Sequence, residues 1–171
     1  MCDLTEKCLT INDLGVNVLG TILGGILLTL ILFLLNEYVF KKKNLSGEWN
    51  TLIEIEETSF NPFKNLKIEY KIHLLQKGYE LSGSGEKIKD IKPDGSEIVF
   101  EREKRVIILV DGYFERKYFS KSKIYLNINE EGRKRKTRAT YTLILKDDKN
   151  LTGTFITTAA DASGKISMSK I

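Results

Sequence analysis

The sequence predicts an all-β chain: an up-and-down meander β-barrel of about eight strands, preceded by one N-terminal transmembrane helix. Three observations predict it. An uncharged apolar run extends from Leu14 to Leu35. From Ser46 onward hydrophobic residues recur with period two rather than 3.6. The alternating runs are short, follow one another in order, and are separated by compact turn signals with no helical pattern among them.

The apolar run comes first. At a rise of about 1.5 Å per residue it reaches about 33 Å, enough for a hydrocarbon core of about 30 Å. Lipid offers the backbone no hydrogen-bond partners, so such a segment crosses as a helix. A cleaved signal peptide would carry positive charge ahead of its apolar core. Here Asp3, Glu6 and Asp13 stand against Lys7 before the run, and Lys41, Lys42 and Lys43 follow it. Basic flanks stay in the cytoplasm, so the chain is read as single-pass with a cytoplasmic barrel. The expected divisions are a short extracytoplasmic tail (1–13), a membrane helix with its interfacial end (14–40), a basic juncture (41–45) and the barrel domain (46–171). Tyr38 and Phe40 suit the membrane interface. Gly20 and Gly24 form a G-x-x-x-G pair that lets two helix backbones approach, and Asn17 offers an interhelical hydrogen bond, so a homo-oligomer is expected.

The strands follow in order. Trp49, Thr51, Ile53 and Ile55 share one face of the first run, with Asn50, Glu54 and Glu56 on the other. Leu66, Ile68, Tyr70, Ile72 and Leu74 give the cleanest alternation, and His73 falls on its polar face. The run Tyr79–Ile88 carries Gly83 and Gly85, which suit a bend. Further runs are Ile98–Arg102, Val106–Phe119, Ile124–Ile128, Ala139–Leu145, Leu151–Thr158 and Ile166–Met168. Asp111-Gly112 reads either as a two-residue hairpin turn or as a bulge within one long strand.

Charge narrows the partners. The chain has 27 Lys+Arg and 23 Asp+Glu; residues 41–171 hold 26 and 19 of them, a net of +7. That excess favours anionic partners: lipid head groups, nucleotides or nucleic acid. A nucleic-acid polymer is not expected, since no recognition helix or zinc module is present. The basic run Gly132–Arg138 falls at a hairpin turn and reads as a solvated cluster that can touch an anionic leaflet. Cys2 and Cys8 lie in the tail without metal-ligand spacing, and His73 is the single histidine. No nucleophile–base pair, carboxylate pair or phosphate loop is evident, so neither catalysis nor a cofactor or metal is expected.

An eight-stranded barrel has room for one small ligand. With the apolar faces inward, Trp49, Tyr70 and Tyr141 join the interior, where rings with polar tips suit a planar ligand. In the segment 113–119 either parity delivers aromatics plus a base: Phe114, Arg116 and Tyr118, or Tyr113, Lys117 and Phe119. A buried base needs an anionic partner, either Glu115 or a phosphate held by arginine. Arg102 and Arg105 are rim candidates. Thr140, Thr142, Thr152, Thr154, Thr157 and Thr158 offer hydroxyls for a ligand's edges.

These residues carry a family resemblance. A membrane segment, a basic juncture, and Leu45-Ser46-Gly47-Glu48-Trp49 opening a meander resemble the transmembrane β-barrel effectors of CBASS anti-phage defence, the two-transmembrane-β type. Gly112-Tyr113-Phe114-Glu115-Arg116 and Leu151-Thr152-Gly153-Thr154-Phe155 fit the same pattern, and the Gly-x-Trp opening is also similar to lipocalins. The resemblance implies a bacterial inner-membrane effector whose barrel binds a cyclic oligonucleotide, foremost a cyclic dinucleotide. It also implies oligomerisation through the membrane segments and disruption of that membrane. The related Panoptes-type effectors use the ligand as a restraint. The family type is named for two membrane helices, whereas this sequence shows one continuous span. A lipocalin-like lipid carrier and a ligand-free barrel scaffold are the alternatives.

Overall fold

A computed structural model describes residues 4–35, 43–101, 104–117, 120–131 and 136–171, with side chains from Gly15 onward. The chain divides into two units at Lys42/Lys43. In the first, α1 (Leu4–Leu34) runs for 31 residues and begins inside the stretch expected to be a tail. Its segment Gly15–Leu34 is long and apolar enough to cross a membrane, with a mean hydropathy of 2.3. Thr21 and Thr29 donate their hydroxyls to the Asn17 and Gly25 carbonyls one turn back, at 2.9 and 2.8 Å. That spares two polar groups an unmet hydrogen bond in an apolar medium. Tyr38, Phe40, Lys41, Lys42 and the side chains of Cys2 and Cys8 lie outside the described residues.

In the second unit the period-two pattern becomes a closed antiparallel barrel. The strands are β1 (Gly47–Glu57), β2 (Lys67–Lys77), β3 (Glu80–Ile91), β4 (Glu97–Val99), β5 (Ile107–Glu115), β6 (Lys123–Glu131), β7 (Lys136–Leu145), β8 (Asn150–Thr157) and β9 (Ala162–Lys170). Sequential neighbours pair except that β5 joins β3 past β4, and β1–β9 and β2–β3 pairings close the ring, so eight strands form the barrel. The three-residue β4 pairs only with the far end of β3, as a short hairpin outside the ring.

Two expectations about strand boundaries change. β5 stops at Glu115 rather than reaching residue 119. Asp111-Gly112 is neither a hairpin nor a bulge, because β5 stays in continuous register with β6 from Ile107↔Glu131 to Glu115↔Lys123. Glycine is required there by proximity. A Cβ on Gly112 would overlap the Tyr125 carbonyl oxygen and sit 3.0 Å from the Leu126 Cα.

The barrel has two unlike ends. Where the chain enters, the interior is solid: Trp49, Leu74, Ile124, Leu143, Leu151 and Met168 are all essentially inaccessible to solvent. Trp49 Nε1 donates to the Leu45 carbonyl at 2.9 Å, and the Leu45 amide donates to Gln76 Oε1 at 2.8 Å. The buried indole N–H is thereby satisfied and a plug is fastened over that end. The opposite end is ringed by the 58–66 connection, the β3–β4 excursion, the facing ends of β6 and β7, and the β8–β9 turn. The Ser59 amide, Ser59 Oγ and Thr58 Oγ1 all donate to the Ala160 carbonyl, at 2.9, 2.8 and 3.1 Å. These bonds clip the first rim loop to the last turn.

Candidate functional site

A single residue in β3 shapes the open end. Up to Tyr70↔Lys87 the β2–β3 ladder keeps strict alternation, and beyond it Glu69 faces Lys89, which leaves Ile88 as an extra residue. Residues three apart on a regular strand point to opposite faces. The bulge reverses the parity, so both Lys87 and Asp90 line the interior. β6 contributes Ile128 and Glu130, β7 contributes Thr137, Ala139 and Tyr141, and β8 contributes Phe155 and Thr157. With Ile53, Ile55, Phe63 and Leu66 these residues enclose a cavity of about 260 Å3. That is just below the volumes usual for drug-sized ligands. It suits one flat ring system.

The floor is apolar and the upper wall polar. Tyr141 meets Phe155 edge to face, with ring centroids 6.3 Å apart at 84°. The Tyr70 hydroxyl donates to Glu130 Oε2 at 2.9 Å. Lys87 Nζ lies 2.8 Å from Asp90 Oδ1, with both side chains largely buried. Lys87 is the charge partner that meets this buried Asp90 oxygen. Lys87 Nζ also sits 4.6 Å from the centre of the Phe100 ring, a cation–π contact. Burial, then the neighbouring Tyr141 and Glu130, push the Tyr70 phenol well above its usual range. Burial, then Glu130, push the Tyr141 phenol the same way. Both therefore remain neutral hydroxyls at physiological pH.

Burial raises the Asp90 carboxyl above its ordinary value, against the pull of Lys87 in the other direction. A carboxyl with a raised folded pKa binds more protons folded than unfolded. Its contribution therefore grows as pH falls through the folded value and is complete at the unfolded 3.8. Asp94 and Asp147 lie below 3.8 because Ser96 and Asn150 donate to them, so their stabilisation is lost only at pH below 3.8. Urea unfolding should show the Asp90 contribution growing as pH falls toward 3.8, and Asp90→Asn should flatten that rise. An unchanged slope in Asp90→Asn would assign the proton to another group.

The expected site residues divide. Trp49, Tyr70 and Tyr141 all lie inside, but only Tyr70 and Tyr141 reach the cavity. Trp49 belongs to the plug at the other end because it is the third residue of β1, where the chain enters. Tyr113 faces outward, 52% exposed, and stacks on its cross-strand partner Tyr125 with centroids 4.8 Å apart. Phe114 takes the interior position instead. Arg116 lies past the end of β5, at the closed end. Lys117 pairs with Glu115 at 3.5 Å. Arg105 stands at the open end but on the outer surface, where Nε donates to Glu86 at 2.8 Å. Arg102, Tyr118 and residues 132–135 of the basic run lie outside the described residues. Thr157 lines the cavity, whereas Thr140, Thr142, Thr152, Thr154 and Thr158 do not.

Lys87, Asp90, Glu130, Thr137 and Phe155 were not anticipated. Glu130 had a signal, since it continues the inward parity of Ile124, Leu126 and Ile128. Asp90 had none, because an unbulged strand would have turned it outward.

No family model and no curated protein matches the chain. Among solved structures it is similar to a redesigned β-barrel, mFAP1, bound to DFHBI, at 13% identity and a TM-score of 0.47, covering 74% of this chain and 94% of that one. It is similar to a second redesigned β-barrel at 12% identity and a TM-score of 0.47, covering 74% of this chain and 91% of that one. The likeness concerns barrel architecture alone.

Proposed function

We propose that this chain is a membrane-anchored effector of anti-phage defence whose barrel binds a cyclic oligonucleotide, foremost a cyclic dinucleotide, at its open end. The observation that carries the reading is the half-polar cavity of about 260 Å3, walled by Tyr70, Tyr141 and Phe155. It accommodates one base rather than a whole dinucleotide. Ring faces supply stacking, and carboxylates and threonine hydroxyls supply partners for a base edge. The phosphates stay at the rim, where Lys64, Lys104 and Arg138 are exposed around the same end. The helix Gly15–Leu34 anchors the chain in the inner membrane, and Lys41–Lys43 hold the barrel in the cytoplasm. Gly20 and Gly24 pack protomers together, and ligand controls that assembly and membrane disruption by its differential affinity for the two states.

A second reading, a lipocalin-like carrier of an apolar ligand, is favoured by one observation: no residue of the 113–117 segment, and so neither of its bases, lines the cavity. The test is thermal unfolding of the full chain in lipid nanodiscs against cyclic di- and trinucleotides and a fatty acid. A saturable rise in Tm with one cyclic dinucleotide is expected, because a ligand bound only to the folded state stabilises it. A rise with the fatty acid alone would replace the effector with the carrier. No rise with any ligand would leave a scaffold.

A further inference from the structure

The charges lining the cavity are Lys87, Asp90 and Glu130, a net of −1 with both carboxylates ionised. Like charge bars a phosphate from this space, so the part of the ligand that enters is the base. Two carboxylates face this space, and the hydroxyls of Tyr141 and Thr137 lie on the same lining. Lys87 is committed to Asp90 and the Phe100 ring. Thr157 Oγ1 already donates to the Arg138 carbonyl at 3.0 Å. Tyr70 spends its proton on one oxygen of Glu130, and Asp90 Oδ1 is buried against Lys87 Nζ. A carboxylate turned into the cavity keeps acceptor capacity that a ligand's N–H groups can meet.

We infer that Glu130 and Asp90 read the edge of the entering ring and select one with two adjacent N–H donors, as guanine presents, over one with a donor beside an acceptor, as adenine presents. The inference rests on the nucleotide reading above. A carboxylate accepts two parallel N–H bonds and offers no proton to a ring nitrogen lone pair. Adenine would therefore leave one lone pair facing another, whereas guanine would leave neither carboxylate oxygen unmet. Sites built around buried hydrogen-bonding groups discriminate strongly for this reason.

The experiment measures Kd for cyclic di-GMP, cyclic GMP–AMP and cyclic di-AMP on the full chain in nanodiscs. It is repeated with Glu130→Gln and Asp90→Asn, each of which exchanges an acceptor for a donor. The guanine-containing ligands should bind at least about tenfold more tightly than cyclic di-AMP. At least one of the two variants should narrow or reverse that ratio while its unliganded Tm shows the barrel intact. Equal or tighter binding of cyclic di-AMP overturns guanine selection and leaves the nucleotide reading standing. A guanine preference that survives both substitutions overturns Glu130 and Asp90 as the readers. Binding of none of the three overturns both readings together.

Discussion

Tryptophan in place of Ala139 should abolish ligand binding while leaving the barrel folded. Ala139 is half-buried on β7 and contributes a small side chain to the cavity wall, between Thr137 and Tyr141. A tryptophan projected from there occupies much of the 260 Å3 that the ligand needs. Overfilling a packed core costs about 1–3 kcal/mol, but this side chain enters space that is already empty, so the stability change should lie at the low end. Circular dichroism of the full chain in nanodiscs should report a Tm within a few degrees of the parent, and titration with the best nucleotide should show Kd weakened by at least about 100-fold. Unaltered affinity would move the site out of the barrel's open end.

Valine in place of Gly112 should destabilise the barrel by about 3 kcal/mol, the upper end of what overpacking a core position costs. The obstacle is backbone rather than a movable side chain. The added Cβ meets the Tyr125 carbonyl oxygen and the Leu126 Cα on the neighbouring strand. Relief requires β5 and β6 to separate where their ladder is continuous. Urea unfolding followed by the fluorescence of Trp49, the chain's sole tryptophan and fully buried, measures the loss directly. The matched control is Asp111→Val, whose exposed side chain points to solvent, and it should change stability by less than about 1 kcal/mol. Comparable losses in both would mean that strand propensity, not strand approach, dictates glycine at position 112.

The open end carries a broader lesson about strand reading. In β1 and β2 the parity of Trp49, Thr51, Ile53 and Ile55 and of Tyr70, Ile72 and Leu74 carries straight into the barrel interior. Those faces were legible because an uninterrupted strand turns successive side chains to opposite sides. Parity gives no depth, so Trp49 and Tyr141 were grouped although one plugs the closed end and the other lines the cavity. Parity also fails wherever a strand ends or bulges. Arg116 fell outside the site because β5 stops at Glu115, and the Lys87–Asp90 pair was hidden by the extra residue at Ile88.

By itself the sequence determined a membrane-length apolar helix and a meander of period-two strands, because both follow from local composition and spacing. Turn residues at short intervals then left an up-and-down barrel as the way to pair every edge. Only the tertiary structure decided which end of the barrel is filled, where the cavity lies and which charges face it. Those outcomes depend on cross-strand register and on one bulge, and register is set by pairing between strands rather than by any single strand's own residues.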